Sequence, residues 1–298
     1  MGVTVVIPHK NDSALIPRAL NSIRAQTYQP NQVIVIDDWS NDYQKKLLDQ
    51  VVAENKSVLP IECVKSHGHG LSAARNTGIK LANQEIIAFI DCDDEWRFDK
   101  LEKQIKIFSA GYAAVHSWCT NISSNGNHTL LKPTVSYSQL NLIRGEYSVT
   151  GSSSSMIIRR KAAIEVGGFN ENLPSAEDVD MWVRISMHGE LICVEESLVN
   201  VYFRDTGTHK SFKHVPDMKL SSHEKMISNW MNEGILGNNL ASEVLARRLI
   251  SISSEYSNDT HALYAMIFFS KKFMNIFKTY KVKFLINCLA VLLRKLRE

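Results

Sequence analysis

Three carboxylates, Asp91, Asp93 and Asp94, stand within four positions directly after the apolar run Ile86-Ile87-Ala88-Phe89-Ile90. The run reads as a buried strand, and acids crowded at its end are costly unless a cation or a hydrogen-bonding ligand compensates them. The two-residue period of a strand puts Asp91 and Asp93 on one side, and Asp94 turns to meet them where the strand becomes a loop. Such hard oxygen ligands suit a divalent cation shared with a phosphate. The same residues also fit a plainer role, with Asp94 and Glu95 capping a helix that starts near Phe98. A second acidic pair, Glu177-Asp178, opens a helix carrying Val179, Trp182, Val183 and Ile185, where first-turn acids are favoured by the helix dipole.

The elements that must position these acids follow from the hydrophobic pattern. Strands are predicted at Val3 to Ile7, Gln32 to Ile36, Ile61 to Val64 and Ile86 to Ile90. Helices are predicted between them, around Leu15 to Ile23 with Asn11, Asp12 and Ser13 as caps, around Leu47 to Val52, and through Ala73 to Leu81. This alternation implies a parallel sheet with helices on its faces, whose ligands collect at the carboxyl ends of the strands. Pro8 to Asn11, Asp37-Asp38 and Asp91 to Asp94 all lie at such ends, so three loops converge on one crevice. Further along, a helix from about Phe98 to Ser109 and a strand at Ala113 to Trp118 precede an irregular stretch over 119–150. Strands are then predicted at Ser153 to Arg159, Leu191 to Val194 and Leu198 to Phe203, with helices near 218–233, 239–256, 260–278 and 281–297.

The chain's 298 residues, 44% of them hydrophobic, suffice for one large domain with an appendage. The net charge of +3 is uneven: Lys271 to Glu298 carry +7 and the remainder −4, so the basic character is local and gives no general nucleic-acid surface. Five scattered cysteines without a CxxC pair argue against a zinc site or a disulfide framework and fit a reducing compartment. With a first strand at Val3 and no membrane-length apolar run, the expectation is a cytoplasmic protein.

Four stretches together are similar to a known family: Val5-Val6-Ile7-Pro8; Val33-Ile34-Val35-Ile36-Asp37-Asp38-Trp39-Ser40-Asn41-Asp42; Ala73-Ala74-Arg75-Asn76-Thr77-Gly78 with Phe89-Ile90-Asp91-Cys92-Asp93-Asp94; and Gly167-Gly168-Phe169 with Glu177-Asp178-Val179-Asp180-Met181-Trp182-Val183-Arg184. In this order and spacing, over about residues 1–205, the chain resembles the inverting glycosyltransferases of family 2. The resemblance implies the α/β GT-A fold, a Rossmann-like mixed, mainly parallel sheet flanked by helices, with a C-terminal helical extension. The catalytic domain would span 1–215, its nucleotide-sugar half about 1–110 and its acceptor half about 111–215, followed by a helical region at 216–298. One departure stands out: the second stretch has Trp39 where the family usually has Gly, so the turn is shaped differently or places an aromatic ring near the nucleotide.

The resemblance also implies roles. Asp93 and Asp94 are expected to hold Mn²⁺ or Mg²⁺ against the diphosphate, Asp91 to reach the ribose, Asp38 to accept a hydrogen bond from uracil, and Pro8 to begin the loop along the base. Arg75 either contacts the nucleotide or pairs with the nearby carboxylates. Asp178 is the expected general base, with Glu177 beside it; Trp182 is either core or a wall beneath the acceptor, and Asp180 is structural. His209, in a basic loop at 202–211, either touches the diphosphate and metal or is an ordinary surface residue. The expected reaction moves a sugar from a UDP-sugar to a glycan or lipid-linked glycan, as in bacterial surface polysaccharide synthesis. A nucleotidyltransferase is the alternative enzyme, but Pro8-His9-Lys10-Asn11-Asp12 contains no Gly to cradle a triphosphate; a non-catalytic nucleotide-sugar scaffold is the other alternative. Leu285, Cys288, Leu289, Leu292 and Leu296 recur at helical spacing between Lys281, Lys283, Arg294, Lys295 and Arg297. That basic amphipathic pattern suits peripheral attachment to the inner face of the cell membrane, or packing on the catalytic domain or a second subunit.

Overall fold

The computed structural model describes residues 1–108, 111–203, 216–237, 240–241, 243–245 and 248. Val3–His9 (β1), Gln32–Asp37 (β2) and Ile86–Phe89 (β4) are almost wholly buried, as β-branched and aromatic runs without polar alternation require. With Ile61–Lys65 (β3) they form the parallel half of a nine-stranded mixed sheet. Glu95–Trp96 (β5), Tyr112–Ile122 (β6), His128–Leu131 (β7), Ile157–Arg159 (β8) and Glu190–Tyr202 (β9) complete it in the order β3-β2-β1-β4-β8-β6-β9-β5, with β7 hydrogen-bonded to β6. Strands β5, β7 and β8 run against the others, so the sheet is mainly parallel.

Helices Ile16–Arg24 (α1), Asp42–Asn55 (α2), Leu71–Leu81 (α3) and Lys100–Ile107 (α4) alternate with the first strands. Gly78 lets α3 settle on β1, since a Cβ there would lie 2.3 Å from Cγ1 of Val6. Gln139–Arg144 (α5), Arg160–Glu165 (α6) and Glu177–Ile185 (α7) follow, and Pro216–Asn232 (α8) lies close to the predicted 218–233. Two compact units are distinguished, the larger carrying the sheet and the smaller containing α8. Within the smaller unit Arg248 donates to the carbonyl of Ile143 at 3.1 Å, and Arg144 pairs with Glu243. The predicted helices at 260–278 and 281–297 and the basic tail lie outside the described residues, as does His209 and much of 239–256. Among the described residues no helix is long and apolar enough to cross a membrane.

Several expected elements are redrawn. Asp94 and Glu95 do not cap a helix: Glu95 pairs with Asn200 in an antiparallel bridge, and α4 starts only after Asp99. Helix α1 follows Leu15 without a side-chain cap, because Ser13 instead donates to the carbonyl of Gln44 at 2.7 Å. Two strands expected near 191–203 are one strand, β9, whose Glu195-Glu196 bulge out of register where Ser117 opposes Val194 and Trp118 opposes Ser197. Arg97 and Lys103 hold Glu196 there at 2.7 and 2.5 Å. The irregular 119–150 stretch contains the end of β6, the β7 hairpin and α5. Ser152–Ser155 form a 3-10 turn, and only Ile157–Arg159 of the expected strand is extended.

Candidate active site

Strand register brings the three loops to one level. His9 lies beside Asp37, and Val6 beside Phe89, so continuing β4 by two residues sets Asp91 level with Pro8. This is the carboxyl edge of the parallel half, where unpaired backbone groups and loop side chains are free to meet a ligand.

At the end of β2, Asp38 is 5% exposed and both of its carboxylate oxygens are engaged. Oδ1 accepts the Gly70 amide at 2.9 Å and Oδ2 the Lys10 ammonium at 3.0 Å. Its backbone N–H donates to the carbonyl of His9 at 2.8 Å, which ties the first loop to the second. His9 is buried against Ser13, and burial lowers its pKa despite the neighbouring Asp37. Trp39 adopts φ +56°, the left-handed backbone a Gly would take freely.

The acidic strand end is organised from behind by Ser154, which is buried. Its Oγ donates to Asp94 Oδ2 at 2.5 Å and accepts the Asp91 amide at 3.0 Å, while its carbonyl accepts Trp96 Nε1–H at 2.8 Å. Burial, with the charges of Asp91 and Asp93 close by, pushes the Asp94 carboxyl well above the usual carboxylate range. Arg18 fixes the loop by donating to the Asp93 carbonyl at 3.1 Å. Nothing in the sequence marked Ser154 or Arg18, since a serine run and a helix Arg carry no pattern of their own.

Arg75 joins the acidic strand end to the second acidic pair. It is 1% exposed, with Nη2 2.9 Å from Asp91 Oδ1 and Nη1 3.4 Å from Glu177 Oε1, and its guanidinium lies 5.3 Å from the Phe169 ring centroid. It pairs with the nearby carboxylates on both sides. Burial opposes its charge, but Asp91, Glu177 and Asp178 outweigh that and raise its pKa. Glu177 is pushed up to about 7 by burial and by Asp178, against the pull of Arg75. Asp178 Oδ1 accepts the Val179 amide at 2.7 Å, a helix N-terminal contact. Trp182 is 2% exposed and meets Phe169 edge to face at 5.8 Å, so its ring is buried core. Asp180 is buried in a bridge to Arg184 at 2.5 Å, the structural role expected of it.

The turn before α7 is held by α3. Asn76 accepts the Phe169 amide at 2.7 Å and donates to the Phe169 carbonyl and to Glu171, both at 2.8 Å. Gly168, at φ +76°, is required there, because a Cβ would fall 2.3 Å from Asn76 Oδ1. Two consecutive residues of α3 thus supply the buried guanidinium and the amide that sets the approach to Glu177. The donor set fits a hard divalent cation: the carboxylates of Asp91 and Asp93 stand close enough to that of Asp94 to perturb it. Among the described residues no three acidic, His or Cys side chains are arranged to enclose a metal unaided.

Comparison with known proteins bears on this site. Residues 4–167, more than half of the chain, match the family model described as Glycosyl transferase family 2. The amylovoran biosynthesis glycosyltransferase AmsB of Erwinia amylovora is 28% identical over 227 residues, covering 67% of this chain and 69% of its own length. Two other curated glycosyltransferases match over only 33% and 29% of their lengths, so the chain spans about a third of each. The structure of S. aureus TarS 1-349 in complex with UDP-GlcNAc aligns with TM-score 0.67 and 21% identity over 84% of this chain and 73% of that one. A mannosyltransferase from Pyrobaculum calidifontis, in complex with GDP-Man and Mn²⁺, aligns with TM-score 0.62 and 19% identity over 96% and 84%. At those identities the structural likeness establishes the shared fold.

Proposed function

The chain belongs to glycosyl transferase family 2 and is a glycosyltransferase, and from that premise we propose that it transfers a sugar, with inversion, from a UDP-sugar to a hydroxyl of a glycan or lipid-linked glycan in bacterial surface polysaccharide synthesis. The observation that carries this is the Arg75 bridge, which draws the strand-end acids and the helix-end acids into one cluster. The polysaccharide relative and the nucleotide-sugar complexes of the fold relatives support it.

In this reading Asp38 accepts the uracil N–H, Pro8 borders the base, and Asp91 receives the ribose. Asp93 would hold Mn²⁺ or Mg²⁺, with Asp94 behind it on Ser154. The bound cation would supply positive charge for the departing diphosphate oxygens. Arg75 bridges Asp91 and Glu177 and serves the donor through them. Asp178 takes the proton from the acceptor hydroxyl, whose oxygen attacks the anomeric carbon opposite the diphosphate. The C–O bond to the diphosphate breaks as the new glycosidic bond forms, and the configuration inverts without a covalent sugar intermediate. In this reading the catalytic domain spans 1–215, its donor half up to about 110 and its acceptor half beyond, and residues 216–298 serve membrane or subunit contact. Loss of a positioned base costs on the order of 10²–10⁴-fold in rate. Asp178→Asn should therefore bind UDP like the wild type yet lose at least about 10²-fold in UDP release from a panel of UDP-sugars with glycan acceptors. A variant that turns over at the wild-type rate would remove Asp178 from this role.

A further inference from the structure

We infer that Trp39 is a positioning residue of the donor site, whose indole clamps the loop 66–70 to the end of β2 and thereby orients Asp38 for recognition of a base ring N–H. The inference rests on the donor-site reading above and deepens it.

Trp39 sits at φ +56°, where every L side chain is strained, and the residue is 44% exposed, so burial does not account for it. What the ring does is grip one loop. Its Nε1–H donates to the Gly68 carbonyl at 3.0 Å, the His69 ring lies 4.6 Å from it at an interplanar angle of 33°, and the Lys65 ammonium stands 3.4 Å above its centroid. Lys65 ends β3, which pairs with β2, so the clamp is anchored at both ends to neighbouring strands. The loop so held meets this edge again at both of its ends: the Ser66 amide donates to the Asp37 carbonyl at 2.9 Å, and the Gly70 amide lies 2.9 Å from Asp38 Oδ1. Asp38 and Trp39 are adjacent in the chain and hold the same loop at two points, one through Gly70 and one through Gly68 and His69.

This arrangement has a chemical consequence for selectivity. With Oδ1 on Gly70 and Oδ2 on Lys10, only the remaining lone pairs of Asp38 are offered to a ligand, in directions set by the loop. An acceptor so fixed favours a ring presenting N–H, as uracil does at N3, over one presenting a lone pair there, as cytosine does. A site built to hydrogen-bond a group discriminates strongly against a ligand that cannot reciprocate. Loosening the loop lets Asp38 reorient, which erodes the discrimination before it unfolds anything.

The test is calorimetric titration of UDP and of CDP, each with Mn²⁺, into wild type, Trp39→Phe and Trp39→Gly, alongside their melting temperatures. Trp39→Gly, which relieves the strained φ, should keep the wild-type melting temperature or exceed it, lose about tenfold in UDP affinity and shrink the UDP-to-CDP preference by a similar factor. Trp39→Phe, which keeps a ring but loses the N–H donor, should fall between the two. Wild-type preference retained in Trp39→Gly overturns the inference while leaving the donor reading intact. A Trp39→Gly chain that fails to fold also overturns it, because the indole would then be structural. Absence of UDP binding by the wild type overturns the donor reading itself.

Discussion

Replacing Arg75 by Met removes the guanidinium while keeping an unbranched apolar side chain against Phe169. Breaking a buried ion pair from one side costs about 3–5 kcal/mol when the orphaned charge stays dry. Here the Asp91 and Glu177 side chains retain 26% and 19% exposure, so water and protonation relieve part of that cost, and a loss of about 2–3 kcal/mol is expected. At roughly 2–4 °C per kcal/mol for a unit of this size, the melting temperature should fall by about 5–10 °C. The deficit should also depend on pH. Glu177, pushed up to about 7 from its ordinary 4.5, binds more protons folded than unfolded between those values, so its contribution to stability falls as pH rises across that window. Arg75 opposes that shift, and without it the fall extends to higher pH. Differential scanning calorimetry of both proteins at pH 5.5 and pH 8 should therefore show the larger deficit at pH 8. A shift below about 2 °C at pH 8, or an equal deficit at both pH values, would refute the bridge as described.

Other outcomes follow from the same contacts. Gly168→Ala combines a left-handed backbone with a Cβ 2.3 Å from Asn76 Oδ1, and should cost about 2–4 kcal/mol through strain and lost buried hydrogen bonds. Gly167→Ala, at φ +75° but with open space around it, should cost only about 1–2 kcal/mol, and urea unfolding of the pair separates the two effects. Glu177→Gln cannot titrate, so its stability relative to the wild type should improve as pH is raised from about 4.5 to 7, read from melting temperatures at unit pH intervals.

The parallel half of the fold was legible because β1, β2 and β4 are buried on both faces and therefore written as unbroken apolar runs. Helix α2 was legible through the apolar positions around Leu47 to Val52, of which Leu48 and Val52 are buried, whereas its cap, the Asn41 side chain accepting the Gln44 amide, went unmarked. The convergence of the three loops needed only the rule that parallel strands share a carboxyl edge. What sequence could not supply were features made by partners far along the chain. Glu95–Trp96 is extended because β9 lies beside it, and two residues carry no period. The long β9 reads as two strands because charged Glu195-Glu196 interrupt its apolar pattern at the bulge. Arg75 left two roles open because its carboxylate partners are 16 and 102 positions away, and its pairing with them becomes visible only once the fold brings them together. Ser154 acquires its importance from Asp91 and Asp94, about sixty residues earlier.

The central claim, a nucleotide-sugar site whose acidic strand end engages the diphosphate through a divalent cation, meets its most direct test in calorimetric titration of UDP into wild type and Asp93→Ala, each with and without Mn²⁺. The account predicts binding by the wild type that strengthens at least about tenfold with Mn²⁺ and an Asp93→Ala protein in which that dependence is gone. A folded wild type that fails to bind UDP with Mn²⁺ present, or an Asp93→Ala protein with undiminished metal dependence, would contradict it.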